Sequence, residues 1–545
     1  MVKQARRKDV TWSWQGSVMR QRAEGWSFDS RDLMRSKCLH CTRLAVAREL
    51  GIPGLQELID EFYVKPDNLP IRYGMAYEAE LEQELLASLG DLVQQPDEQT
   101  ASATFELMES GVPVIYQGVL RGGSGEMAFS GRPDFLLRSD YRFRFTESGL
   151  TAVQVDGWRG GYTAWDAKLS SNPKTDYQNQ VGLYVDVLQE IGMASSGEHG
   201  LLLGNRTVAS FAKEVLLAQM FEARARFLKQ ITDFREGDPQ QLADIGELVC
   251  EGTTLCDFCE YPALCEHTRR ETGHLQLVYG INKTQIEKLR KSGINSVAKL
   301  AQLDVDEGML PKEQLEKLTR QAKMQQRTYE TGEHLYEVVN PELLASLPPA
   351  SAGDIFFDIE GFTFGMPGGI EYLFGYTTVL DGEQFHWIWA DSRAEEKELF
   401  EKFMTDVLMR LDQNPGAHIY HYANYEKTAL KRLAERHGVF EQEVEDLLST
   451  GVLVDLYDIV RKALVLSQES YSIKKLENYY SFDRVSDVKE ALGSMEYYDL
   501  YLQKLEADPT EAEMLKRQVI AYNQDDCAST LALVRWLRSL ENRNV

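Results

Sequence analysis

The chain has no apolar run near the roughly 18 residues that a bilayer-spanning helix requires. Its start, MVKQARRKDVTWSWQG, is basic without the apolar stretch of a secretory signal. A cytoplasmic protein with no membrane attachment is expected. The phosphate-cradling loop GxxxxGK[ST] is missing, so no ATP-driven motor is recognisable. Long-period repeats and low-complexity tracts are missing too. Cysteine is scarce, seven in 545 residues, and in a reducing compartment metal binding or burial suits them better than disulfides. Positive charge is also short, with 59 Lys and Arg against 85 Asp and Glu and a net charge of -26. That balance disfavours a broad basic surface for nucleic acid. Local patches decide binding, however, and a metal-dependent enzyme must concentrate carboxylates.

With 43% hydrophobic and 26% charged residues, the composition is that of a globular protein. The length calls for several domains. Three blocks emerge in a multidomain α/β chain: 27–270, mixing helical periods with short strand-like runs; 271–346, helical; and 350–545. The paired prolines of Leu347–Gly353 (LPPASAG) make a linker before the last block.

Four motifs occur in order in the first block: GMAYE with Glu78, GRPDFLL with Asp134, WDAKLS with Asp166 and Lys168, and QVGLY with Gln180 and Tyr184. Asp166 and Lys168, two apart on a strand, point to one face. The carboxylate can bind a divalent metal while the ammonium orients or activates water. Asp134 can supply a second ligand, and Glu78, on an amphipathic helix, can complete an oxygen shell suited to Mg or Mn. A lone DxK also describes a surface ion pair and a lone GRPD a turn; the weight lies in the order. This order resembles the RecB-like nucleases of the PD-(D/E)xK superfamily, which implies a restriction-endonuclease-like domain. Many of those relatives carry a metal-binding histidine where Tyr77 stands, which leaves Glu78 to do that work.

Cys256, Cys259 and Cys265 form CDFCEYPALC, with Cys38 upstream in SKCLHC. Four thiolates can hold a 4Fe-4S cluster or a tetrahedral zinc, or lie buried in a core. Chelation would close a loop of roughly 200 residues. Cluster-bearing RecB-like relatives share the layout of one cysteine before the nuclease motifs and CxxC-x5-C after them. That resemblance implies the cluster, and implies Cys38 rather than Cys41 because His40 follows two residues on. Cys250 and Cys527 are expected to be structural.

The middle block contains GINKTQIEKLRKSGINSVAKLAQL, with Gly280 at a tight turn and Gly293 at a helix end. Ile286, Leu289, Ile294, Val297 and Leu300 form an apolar seam. Lys283, Lys288, Arg290, Lys291 and Lys299 make the stretch locally basic. It resembles a helix-hairpin-helix module, whose glycine turn offers amides to phosphate; a plain helical spacer is the alternative.

In DIFFDIEGF, Asp358 and Glu360 leave one face of an apolar strand. Burying two acids side by side is costly unless metal compensates. EYLFGYTTVL and QFHWIWA continue as two strands, HIYHYANYEKTALKRL places Glu426 near a helix start, and VDLYDIVRKAL adds Asp455. AYNQDDCASTLALVRWL is an amphipathic helix with Tyr522 and Asp526 on one face, and Asp525 as the alternative if that helix is rotated. Such a carboxylate set can hold two cations for phosphodiester hydrolysis while Tyr522 positions water. The order D-x-E, an acid on a helix, then Y-x-x-x-D resembles the tyrosine-type DEDD exonucleases of the ribonuclease-H-like fold. Glu426 replaces their usual aspartate.

The block order resembles RecB-like nucleases with a C-terminal ribonuclease-H-like mixed-sheet domain, through phrases such as YHYANYEKTALKRL and SYSIKKLENYY. The resemblance implies a metal-dependent nuclease acting on nucleic acid, DNA more than RNA, in DNA repair or defence. A binding scaffold with a decayed site is the other reading. Some relatives continue into a superfamily 1 helicase, so a separate helicase is an expected partner.

Overall fold

The computed structural model describes residues 19–22, 25–63, 69–123, 127–236, 252, 255–256, 259–303, 309–380, 382–486 and 491–541. Cys250 lies outside them. Two compact units divide the chain, Met1–Thr272 and Gly273–Val545. The helical middle belongs to the second.

The first unit centres on a mixed six-stranded sheet. From edge to edge its strands are Val208–Phe211, His199–Leu203, Tyr162–Lys168, Phe135–Arg138, Val114–Tyr116 and Val93–Gln94. Tyr162–Lys168 runs antiparallel to Phe135–Arg138 and parallel to His199–Leu203. All but its last residue are buried, as expected of a strand covered on both faces. Trp165 and Ala167 face a core with Leu81 and Leu85 of the helix Leu69–Leu89. Ala164 faces a core with Val181 and Leu188 of the helix Thr175–Glu190. Asp166 and Lys168 share the face of Ala164, which aims them at that second helix.

In the second unit a five-stranded sheet has the order Gln384–Trp389, Ile370–Thr378, Ile355–Phe362, Ile419–His421, Leu453–Asp455. The first three strands form the expected antiparallel meander, and the last two are added in parallel. Phe357 stacks on Phe403 of the helix Arg393–Gln413, with ring centroids 4.3 Å apart. Phe356 lies on the opposite face, in a core with Leu531, Val534 and Leu537 of the 33-residue helix Pro509–Glu541. Asp358 and Glu360 therefore share the face covered by the helix that carries Asp526.

The seam residues Ile286, Leu289, Val297 and Leu300 are buried together, with Ile294 packed against them. Asn282 and Gln285 form a capping box at the start of Lys283–Lys291. Gly280 and Gly293 both take φ near +80°, a conformation that costs glycine little. Arg290 packs on His274 rather than standing clear of the module. Strand Tyr336–Val338 then pairs with Leu464–Leu466, so this segment is woven into the C-terminal domain. No described helix is long and apolar enough to cross a membrane.

Candidate active sites

Ligand oxygens of Asp358, Glu360 and Asp526 lie within 4.8 Å of one another. Each carboxylate is held by a side chain far away in sequence. Ser494 Oγ donates to Glu360 Oε2 at 2.8 Å, and Asn523 Nδ2 donates to Asp358 Oδ2 at 2.6 Å. Arg484 Nη2 donates to Asp526 Oδ1 at 2.6 Å and also binds Glu477. Asn523 reaches Asp358 because Gly375 stands opposite Asp358 in the sheet. A Cβ on Gly375 would lie 1.6 Å from Asn523 Oδ1, so any other residue there would displace the asparagine.

Burial, then the charges of Asp526, Glu360 and Glu426, pushes Asp358 well above the usual carboxylate range. Glu360 is pushed up to about 8 by burial and by Asp526. Burial also raises Asp526, although Arg484 pulls the other way. Acids that resist ionising this strongly lack compensating charge. Arg484 and Lys474 supply part of it, and a hard divalent cation with oxygen ligands fits the remainder. Tyr522 is buried, and its hydroxyl is held protonated by burial and by the charges of Asp526, Glu360 and Asp358. Lys474 Nζ sits 4.6 Å from its ring centroid.

Glu426 is buried beside His421, Oε2 to Nδ1 3.3 Å, and its charge is felt at Asp358 and Glu360. It lies outside the tight triad. Asp455 caps the helix Leu456–Ala463 by accepting from the Tyr457 and Asp458 amides, a structural duty. Asp525 accepts from the amides of Val485 and Ser486, so Asp526 rather than Asp525 faces the triad. Ser494, Asn523 and Arg484 escaped sequence reasoning. Only Asn523 carried a local signal, one residue after Tyr522 on the same helix.

In the first unit the motif residues also meet. Asp134 Oδ2 accepts from the Ala167 amide at 2.7 Å. Gln117 Nε2 reaches Asp134 Oδ1 at 3.4 Å and Glu78 Oε2 at 3.5 Å. Lys168 pairs with Asp166. Gln180 Nε2 donates to Asp166 Oδ1 at 3.4 Å and to the Tyr184 hydroxyl at 2.7 Å. Tyr184 packs where a Cβ on Gly131 would stand, 2.3 Å from its ring, which accounts for the glycine of GRPD. Burial raises Glu78 to about 7, with Lys168 opposing and Asp166 assisting. Asp134 is raised well above its usual range by burial and by Asp166. Three carboxylates thus gather beside one ammonium, but among the described residues only Asp358, Glu360 and Asp526 bring ligand oxygens within 4.8 Å of one another. Tyr77 is a core residue whose hydroxyl donates to Leu203 O at 2.6 Å. It pins its helix to the strand His199–Leu203.

Cys38, Cys41, Cys259 and Cys265 share one small core with Tyr261 and Leu264. Cys41 Sγ lies 3.5 Å from Cys259 Sγ, whereas Cys38 Sγ accepts from the Cys41 amide at 3.4 Å. Cys256 is half-buried at the start of the same turn, and residues 257–258 are not described. His40 is buried, with neither ring nitrogen hydrogen-bonded; burial lowers its pKa to about 4. Cys527 is buried in the long C-terminal helix.

Residues 355–538 match the family model of the RNase H superfamily. The match begins on the strand of Asp358 and Glu360 and extends past Tyr522 and Asp526. The chain thus ends in a ribonuclease-H-like domain, a nuclease-type fold with an acidic triad at its centre. No curated protein and no solved structure matches the chain.

Proposed function

We propose that the protein is a metal-dependent nuclease acting on DNA, with a 3′-to-5′ exonuclease site in the C-terminal domain. Its ligands are Asp358, Glu360 and Asp526, with Glu426 beside them. The observation that carries this reading is the convergence of those three carboxylates within 4.8 Å, inside a segment matching the RNase H superfamily.

When bound, divalent cations supply a more acidic water and a Lewis acid for the departing oxygen. The chain supplies the rest. Ser494 and Asn523 hold Glu360 and Asp358 in place before substrate arrives, so little reorganisation is needed. Arg484 anchors Asp526. Tyr522 keeps its proton and can donate a hydrogen bond to the attacking water or to a phosphate oxygen.

A second hydrolytic site of PD-(D/E)xK type is assigned to Glu78, Asp134, Asp166 and Lys168. Gln180 and Tyr184 orient Asp166 there. Burial lowers the Lys168 pKa and the Asp166 and Asp134 charges raise it, with a net rise that keeps the ammonium charged. The cysteine group is assigned a 4Fe-4S cluster, zinc being the alternative, as a clamp joining the start and end of this unit. Cys38, Cys256, Cys259 and Cys265 are its ligands, and Cys41, whose sulfur lies beside that of Cys259, is a further thiol in the same small core. DNA repair or defence, with a separate helicase opening the duplex, is the corresponding role.

The test uses anaerobically purified protein, its visible spectrum, and end-labelled DNA and RNA of matched sequence with Mg or Mn. Asp358→Ala is expected to remove 3′-end trimming and Asp166→Ala the remaining cleavage. Cleavage undiminished in the double variant contradicts the assignment. Faster loss of RNA than of DNA overturns the choice of substrate.

A further inference from the structure

We infer that Tyr279, contributed by the helical segment and backed by the buried ring of Tyr471, forms with Tyr422 and Tyr457 a stacking wall for the unpaired bases of a single strand. This rests on the nuclease reading above and names the substrate of its C-terminal site as single-stranded nucleic acid. Tyr279 lies outside the stretch that matches the RNase H superfamily.

A cavity of about 820 Å3 holds the parts together. Asp358, Asp526 and Tyr522 line it together with Tyr279, Tyr422, Tyr457, Tyr471, Lys474 and Lys475. The volume lies within the roughly 300–1,000 Å3 of ordinary ligand pockets. The Tyr279 and Tyr471 rings stack at 3.7 Å with their planes 10° apart. The Tyr279 and Tyr457 hydroxyls meet at 3.1 Å, and Tyr422 lies edge-on to Tyr457 at 5.7 Å.

The position of Tyr279 is built in. Its amide donates to Gln325 Oε1 at 3.1 Å, and Gln325 Nε2 donates to Leu277 O at 2.7 Å. Gln321, one turn earlier, donates to Gln325 Oε1 and to Leu466 O, and accepts from the Tyr471 hydroxyl at 3.1 Å. Both glutamines are buried. A buried polar network costs free energy unless every member is satisfied, and it then fixes one geometry. Here it fixes the helical segment to the cavity lining.

The chemistry of the lining selects the occupant. Flat aromatic faces bind bases of any sequence, and lysines beside them suit the backbone phosphates. In a duplex the base faces are stacked away, so only an unpaired strand offers them. The carboxylates in the same cavity place the reactive phosphodiester next to the stacked bases.

The test is binding of a fluorescent single-stranded decamer to the full chain carrying Asp358→Asn and Asp166→Ala, which together prevent cleavage, with Tyr279 intact, Tyr279→Ala or Tyr279→Phe. Losing one stacked base is expected to weaken binding roughly 5- to 150-fold in Tyr279→Ala, with Tyr279→Phe within about twofold of the parent. Strands carrying 5-iodouracil are expected to photocrosslink to Tyr279 or Tyr457, read by mass spectrometry on protein with Tyr279 intact. That readout stands even if Tyr279→Ala misfolds. Equal affinity in a folded Tyr279→Ala protein, or crosslinks confined to other residues, overturns the wall. A chain that cleaves no nucleic acid yet binds single strands through Tyr279 overturns the nuclease reading alone. A chain that cleaves but binds independently of Tyr279 overturns the wall alone.

Discussion

Replacing Glu360 by Gln should make the metal-free protein more stable while destroying its activity. Folding moves the Glu360 pKa from an ordinary 4.5 to about 8. Because the folded pKa is the higher one, this contribution is fully present below about pH 4.5 and is lost as the pH rises through 8. At pH 7.5 the buried group must stay protonated about three pH units above its unfolded value, which costs on the order of 4 kcal/mol. Glutamine is neutral at every pH and can still accept from Ser494. The expected gain in the variant is therefore on the order of 2–4 kcal/mol at pH 7.5, near zero at pH 4.5, and largest above pH 8. In a domain of this size each kcal/mol moves Tm by roughly 2–4 °C, so Tm should rise by roughly 5–15 °C. Thermal unfolding of both proteins in EDTA from pH 4.5 to 8.5 measures it. Adding Mn should reverse the order, because the cation stabilises the ionised wild-type carboxylate. Parallel Tm-against-pH curves for the two proteins would refute the account of the site as a charge-starved cluster.

Other outcomes follow from the same geometry. Asp526→Asn should lower exonuclease kcat by at least about a hundredfold, whereas Asp525→Asn should mainly loosen the loop at Val485 and Ser486 and cost roughly 1–3 kcal/mol in urea unfolding. Gly375→Ala should force Asn523 away from Asp358, costing roughly 1–3 kcal/mol and weakening Mn affinity in calorimetry. Cys38→Ser should lose bound iron or zinc, measured by metal analysis, more completely than Cys41→Ser; the opposite order would make Cys41 the upstream ligand.

Period and spacing made the chemistry-bearing strands legible. Asp358 and Glu360 alternate along an apolar strand whose other face is Phe357 and Ile359, and the structure puts the acids under the Asp526 helix. Asp166 and Lys168 follow the same rule. The supports of these acids were not legible. Ser494 and Asn523 are neutral residues 134 and 165 positions from the carboxylates they hold, and apart from the place of Asn523 beside Tyr522 no local pattern marks them. The choice between Asp525 and Asp526 depended on helix rotation, which packing sets and spacing leaves open. Tyr77 at a position where a histidine was considered turns out to serve a backbone carbonyl, a role that only the folded neighbourhood defines. The helical middle looked like an independent module because its own seam is complete, yet buried Gln321 joins it to the C-terminal domain through Leu466, Gln468 and Tyr471. Polar residues on a helix are ordinarily assigned to solvent, which hid that joint.

Crystals of the full chain soaked in Mn, with anomalous data at the manganese edge, address the central claim directly. The account predicts a peak at coordination distance, about 2.0–2.6 Å for hard cations, from oxygens of Asp358, Glu360 and Asp526. Strong peaks on exposed carboxylates elsewhere, with none among these three, would contradict it.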